Sequence, residues 1–314
     1  MAIQWDQPST STLGQQLEEL MAKSQCPISG DVLYVSPLCL KTKLEADEDV
    51  PSYNDIARMD SETQEEWIKA MNKELATLYE FGVYETVDIA DAKGRQIVPS
   101  HWAFKIKRRA DGSFLKYKAR LTIRGDLQLE GLAEGTSVHD SDGYAPTVEF
   151  GTVRMLLTMS VMHNLHTTQV DWKNAFTQAY LDRPYYMEFP PGLRDLPELK
   201  GKIMKLNRSL YGNKFAAKLF YKVVQEALTT PKEKGGPGFR VSEYDHCLFI
   251  RDDCIVINWV DDAIFISKDP KVAEDIVKLL KKNGYDLDIE SVEGGLKDYL
   301  GIDYKKIPDG KSLM

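Results

Sequence analysis

The stretch Ile255-Val256-Ile257-Asn258-Trp259-Val260-Asp261-Asp262-Ala263-Ile264-Phe265-Ile266 decides how the rest of the chain is read. Two runs rich in Val, Ile and aromatics flank a pair of adjacent carboxylates. Such runs favour β-strands, so Asp261-Asp262 is predicted to sit at a hairpin turn. Two like charges side by side on a tight turn repel each other unless cations neutralise them. A bare Asp-Asp also suits a turn for purely local reasons, as at Asp252-Asp253 just upstream. What separates the two cases is a third carboxylate in a similar setting, Asp171, within Thr167-Thr168-Gln169-Val170-Asp171-Trp172.

Working outward, a second patterned stretch lies at residues 101–124. Lys105, Lys107, Arg108, Arg109, Lys116, Lys118, Arg120 and Arg124 face a single acid there, Asp111. They alternate with Trp102, Phe104, Ile106, Leu115, Tyr117, Leu121 and Ile123, a two-sided strand pattern. Ala110-Asp111-Gly112-Ser113 supplies a turn, so the stretch reads as a basic β-hairpin. One face would pack inward and the other present cations to phosphate. This local charge runs against the net charge of −8. The imbalance comes from residues 1–66, which hold 13 Asp/Glu against 4 Lys/Arg. Residues 1–50 are acidic and irregular, with a short helical candidate around Leu13–Met21, and read as a linker or partly disordered segment.

The 314 residues, 43% hydrophobic, are enough for two subdomains with a real core. No apolar run approaches the roughly 18 residues of a membrane span, and the start lacks the pattern of a signal peptide. Cys26, Cys39, Cys247 and Cys254 show no CxxC spacing, and His163 and His166 have no matching ligands. A reducing, intracellular setting is expected.

A helix is predicted from Ser61, with Ser61 and Gln64 as a capping box, Trp67, Met71, Leu75 and Leu78 as its apolar stripe, and Gly82 closing it. Further helices are expected over 150–162, 214–228 and 272–282, with a last pair of short strands near Tyr299–Tyr304. Residues 167–290 thus read as strand, helix, strand, strand, helix. That order suggests an α+β fold, an antiparallel sheet backed by helices of the ferredoxin-like or polymerase-palm kind. In such a sheet the end of the Asp171 strand can lie beside the Asp261-Asp262 turn. Mg²⁺ takes one or two carboxylates plus substrate phosphates, and two such ions suit in-line nucleotidyl transfer.

These residues resemble the reverse transcriptase domain of copia-type LTR retrotransposons. The resemblance is carried by His101-Trp102-Ala103-Phe104-Lys105-Ile106-Lys107, Tyr117-Lys118-Ala119-Arg120-Leu121, Tyr144-Ala145-Pro146-Thr147 and Gln169-Val170-Asp171. It continues through Tyr186-Met187-Glu188-Phe189-Pro190-Pro191-Gly192, Leu210-Tyr211-Gly212, Trp259-Val260-Asp261-Asp262 and Tyr299-Leu300-Gly301-Ile302. Trp67, Ala70-Met71 and Glu74 resemble the helix that opens the domain in that family. The match runs over roughly residues 51–312.

The resemblance implies an RNA-directed DNA polymerase core that adds dNTPs to a primer 3′-OH on an RNA or DNA template, using two Mg²⁺ or Mn²⁺ ions. Asp171, Asp261 and Asp262 would be catalytic and metal-binding, with the Trp172 carbonyl assisting. Lys116, Lys118 and Arg120 would bind the triphosphate, Phe176 would exclude a ribose 2′-OH, and Tyr211 and Gly212 would underlie the incoming base. Leu300 and Gly301 would contact the primer. The implied division is fingers (about 51–165 and part of 180–215) and palm (about 166–180 and 210–314). Other parts of a retrotransposon polyprotein would be partners, and the location would be cytoplasmic, in virus-like particles. The chain departs from the family at Asn213-Lys214-Phe215, where Leu-Lys-Gln is usual, and at Trp259, where Tyr or Phe is common. The family's thumb-like region and ribonuclease H domain are missing from the sequence given. The alternative is therefore a truncated remnant that binds nucleic acid without polymerising. A ferredoxin-like RNA-binding module would instead rely on stacking aromatics and would not need these aspartates.

Overall fold

A computed structural model describes residues 49–109, 111–129, 144–290, 295–299, 302–306 and 312–313. The acidic segment up to residue 48, most of the loop expected over 125–144, and Leu300 and Gly301 lie outside them. In chain order the elements are α1 (Tyr53–Ile56), α2 (Ser61–Glu80), β1 (Tyr84–Asp88), β2 (Ile97–Val98), β3 (Ser100–Arg108) and β4 (Phe114–Ile123). Then come α3 (Phe150–Met162), β5 (His166–Trp172), β6 (Tyr180–Met187), β7 (Lys202–Arg208) and α4 (Ala216–Thr229). Next are β8 (Arg240–Val241), β9 (Leu248–Arg251), β10 (Cys254–Trp259), β11 (Asp262–Ser267), α5 (Pro270–Lys282) and β12 (Leu287–Glu290). The last three strands are β13 (Gly295–Tyr299), β14 (Ile302–Lys306) and β15 (Ser312–Leu313). No helix among the described residues is long and apolar enough to cross a membrane.

The chain divides into two units, one built on residues 49–144 and 176–220, the other on 145–175 and 221–314. In the first, β3 and β4 form the basic hairpin, with Trp102 opposite Leu121, Phe104 opposite Ala119 and Ile106 opposite Tyr117. These residues belong to the apolar cluster. Trp67 of α2 closes that cluster, its ring centroid 5.1 Å from Phe104 and 4.5 Å from Tyr117. The helix starts one residue earlier than the capping box implied. Asp60 is the N-cap, its carboxylate accepting the Thr63 amide at 2.9 Å and the Thr63 hydroxyl at 2.7 Å. A carboxylate also suits the positive end of a helix better than a hydroxyl does. Gln64 turns back instead, donating to the Met59 carbonyl. A four-stranded sheet in the order β1-β7-β6-β2 completes this unit. Sequence reading did not foresee it. Its strand β6 carries Pro184 and a register irregularity between Tyr180 and Tyr185, which obscures the alternation.

In the second unit six strands run antiparallel in the order β12-β5-β11-β10-β9-β8. Val153, Leu156 and Leu157 of α3 share a core with Ile255, Ile257, Ile264 and Ile266. Helix α5 lies against β5, β11 and β12 and buries Ala273, Ile276, Val277 and Leu280. Both sheet faces are covered, which is why the Ile-Val-Ile run is continuous rather than alternating. This is the expected α+β, palm-like arrangement.

The β10–β11 hairpin is closed by two residues, Val260 and Asp261, since Trp259 pairs with Asp262. Val260 adopts φ 50°, a conformation that costs a β-branched residue roughly 1–2 kcal/mol. Asn258 holds the turn in place. Its side chain, almost wholly buried, donates from Nδ2 to the Val260 carbonyl at 3.1 Å. Its Oδ1 accepts the Trp172 indole N–H at 3.0 Å. The Trp172 amide in turn donates to the Asp261 carbonyl at 2.7 Å.

Two stability outcomes follow from this packing. Asn258→Ala removes the partner of a buried indole N–H and of a turn carbonyl, so urea denaturation is expected to show a loss of about 2–4 kcal/mol at unchanged m-value. A loss below about half a kcal/mol would contradict the role given to Asn258. For Trp67→Ala the expected loss is about 3–5 kcal/mol, and a mild effect would place the core of the first unit elsewhere.

Candidate active site

Strand β5 lies between β11 and β12, and its register sets the chemistry at its end. Asp171 is the direct cross-strand partner of Asp262 on one side and of Asp288 on the other. Direct partners share a sheet face, so three carboxylates form one row across strands about 4.8 Å apart. Like charges placed opposite one another are destabilising, and cations answer them here. Lys173 Nζ lies 2.5 Å from Asp171 Oδ2, while its amide donates to the Asp286 carbonyl at 2.9 Å. Burial alone would depress the Lys173 ammonium, but the bond to Asp171 and the charges of Asp171, Glu290 and Asp288 hold it above its usual range. The hydrogen bond from Lys281 keeps Asp288 below the usual carboxylate range. Burial, reinforced by Asp288, pushes Asp286 up.

The structure therefore brings Asp171 and Asp262 together as expected and puts Asp261 in the adjoining turn, tied by its carbonyl to β5. Trp172 contributes a buried indole to the site's foundation. Sequence reading missed Asp288, Lys173 and Asn258. Only Lys173 carried a visible signal, its i+2 spacing from Asp171. Among the described residues no three acidic, His or Cys side chains are gathered as a ready metal cage. The donor set nonetheless fits a hard cation, because Mg²⁺ is usually held by one or two carboxylates completed by substrate phosphates.

In the other unit, the outer face of the hairpin gathers the expected cations. Lys105 sits opposite Lys118, Lys107 opposite Lys116, and Ala103 opposite Arg120. Two directly opposed lysine pairs are unfavourable alone and make a face prepared for an anion. Burial, followed by the charges of Arg120, Lys107 and Lys116, pulls the Lys118 ammonium down to about 8. The Arg120 guanidinium stacks over the Tyr211 ring at 4.4 Å. Phe176, half-buried in a 3-10 turn (Ala175–Gln178), meets Tyr211 edge-on at 5.1 Å. Gly212 has φ 86°, and a Cβ there would overlap the Ile123 carbonyl oxygen. A Cβ on Gly125 would likewise overlap the Gly212 carbonyl oxygen. The close approach this glycine permits is thus to the end of β4, sealed by the Ile123 amide donating to the Tyr211 carbonyl at 3.0 Å. Leu300 and Gly301, expected at the primer, lie outside the described residues.

A family model described as reverse transcriptase (RNA-dependent DNA polymerase) matches residues 81–314. The chain is 31% identical over 206 residues to the retrovirus-related Pol polyprotein from transposon TNT 1-94 of Nicotiana tabacum, covering 64% of this chain and 14% of that protein. It is 31% identical over 221 residues to the Pol polyprotein from transposon RE1 of Arabidopsis thaliana, covering 69% of this chain and 14% of the relative. The transposon Ty1-LR2 Gag-Pol polyprotein of Saccharomyces cerevisiae is 29% identical over 273 residues, 85% of this chain and 14% of its own length. The chain thus spans about 14% of the length of these curated relatives. With an antiparallel sheet that sets Asp171 against Asp262 and a family match reaching from Phe81 to Met314, the chain belongs to the reverse transcriptase domain family, related to the copia-type retrotransposon Pol proteins.

Proposed function

We propose that the chain is the polymerase core of a copia-type element, an RNA-directed DNA polymerase that adds deoxynucleotides to a primer 3′-OH. The observation that carries this reading is the pairing of Asp171 with Asp262 beside a turn that holds Asp261. Asp171, Asp261 and Asp262, with the Trp172 carbonyl, would hold two Mg²⁺ or Mn²⁺ ions. Such ions lower the pKa of an attacking hydroxyl and stabilise a leaving oxygen. The remaining work falls to the chain's own side chains. Lys116 and Lys118 bind phosphate as point charges, and Arg120 binds it as a planar fork. Tyr211 offers a face against the base. The Phe176 ring fills the space a 2′-OH would need. Leu300 and Gly301 would touch the primer.

In this reading the unit with the basic hairpin serves as fingers and the six-stranded unit as palm. Template, primer and dNTPs are the partners, other polyprotein segments work beside it, and the setting is cytoplasmic, in virus-like particles.

Primer extension on an RNA template with Mg²⁺ tests the assignment. The wild-type chain is expected to extend, and Asp261→Asn to lose ~10²-fold or more of that activity, the scale of removing one electrostatic contributor to a transition state. Extension absent from both, with nucleic acid still bound, would replace the enzyme by a binding remnant.

A second outcome concerns pH. Lys118 titrates near 8 against an ordinary 10.5, so a bound anion favours its charged form and affinity for dNTP is expected to fall as pH rises through about 8. Lys118→Arg, charged throughout, should flatten that step in a fluorescence titration, and an identical step in both proteins would remove Lys118 from the site. For stability the sign is opposite. Between about 8 and 10.5 the unfolded chain binds more protons than the folded one, so this residue's contribution rises with pH.

A further inference from the structure

The cationic face of the hairpin has a half-buried counterpart that the proposed chemistry does not use. Glu74, on the helix Ser61–Glu80, is half-buried, and its Oε1 accepts the Leu121 amide at 3.3 Å. Leu121 directly follows Arg120 in β4. A carboxylate rarely goes inside without a partner, because losing water disfavours its charge. Burial does push Glu74 above the usual range, opposed by the Leu121 amide and then by the charges of Arg120 and Lys118. The groups acting on Lys118 are Arg120 and Lys116 from its own strand, Lys107 from β3, and Glu74 from the helix. Lys105 stands directly opposite Lys118, while Asp49, on the other side of β3, is bonded to Arg108 and acts on Lys105. Among the groups acting on Lys118, Glu74 is the carboxylate, and it opposes four cations gathered on one short ribbon.

We propose that Glu74 is a positioning residue for the triphosphate. It anchors the β4 backbone at Leu121 and supplies the opposing charge that keeps Lys118 an ammonium beside Arg120 on the open face. The proposal rests on the reading of that face as a triphosphate site. Without the carboxylate the four cations repel one another unopposed, and the one most easily discharged, Lys118, gives up its proton sooner. Glu74 does not touch the ligand; it acts through the residues that do.

The test is a pH series of inorganic tripolyphosphate binding, measured by calorimetry on the whole chain. The wild type should bind and weaken as pH passes about 8. In Glu74→Gln, which keeps an acceptor for the Leu121 amide but no charge, the weakening should begin roughly half a pH unit lower, with about twofold lower affinity at pH 8. Adding Lys118→Arg to Glu74→Gln should abolish the moved step. If Glu74→Gln does not fold, Glu74→Met removes the same charge without burying an amide and is read the same way. A folded charge-free variant whose step coincides with the wild type overturns the role of Glu74 and leaves the triphosphate site standing. A folded wild type that binds no tripolyphosphate at any pH overturns the site reading, and this proposal with it.

Discussion

The antiparallel pairing of β5 with β11 is the constraint from which the candidate site follows. Once Val170 stands opposite Ala263 and Gln169 opposite Ile264, Asp171 has no choice but to face Asp262. A slip of one residue would turn every side chain of β5 to the other face and bury the carboxylate. The register is pinned at the turn by Asn258, which joins the indole of Trp172 to the carbonyl of Val260 in one buried network. That network offsets the cost of a valine at positive φ. Strain held by surrounding bonds is a recurrent property of sites whose geometry matters more than their stability.

The two units meet the same electrostatic difficulty with opposite signs. In the sheet unit, three aspartates in one row are answered by Lys173 and Lys281. In the hairpin unit, paired lysines are answered by Glu74 and by the Tyr211 ring beneath Arg120. Each arrangement leaves its charges where an ion of the other sign gains from joining. The Lys173 ammonium on Asp171 stands in as counter-charge for a carboxylate that would otherwise face Asp262 and Asp288 with less relief.

Much of this was legible from local pattern. The Val/Ile runs around Asp261-Asp262 gave the hairpin, and the alternation of Lys116, Lys118 and Arg120 with Tyr117, Ala119 and Leu121 gave the two faces of the basic ribbon. What stayed hidden depends on pairing between distant segments. Asp288 joins the carboxylate row only because β12 lies against β5, and nothing near Asp288 announces that register. Asn258 reads as one polar residue in an apolar run; its bond to the buried indole exists only once Trp172 is beside it. The sheet β1-β7-β6-β2 escaped because Pro184 and the irregularity near Tyr185 break the period that identifies strands. The capping of the helix at 61 was misplaced by one residue because Asp60 and Ser61 both suit the position, and the carboxylate wins.

The paired glycines at the base of the hairpin carry a mechanical consequence. Where Gly125 and Gly212 meet, main chain presses on main chain with no side-chain layer between, and the Ile123 amide is bonded directly to Tyr211. A joint of that kind has no side-chain padding, so the foot of the ribbon and the main chain of Tyr211 are tied in position to each other. At the far end, beyond the irregularity at Lys107 and Arg108, Phe114 and Leu115 are exposed. The ribbon is thus clamped at one end, and the Tyr211 ring beneath Arg120 sits at that clamped root.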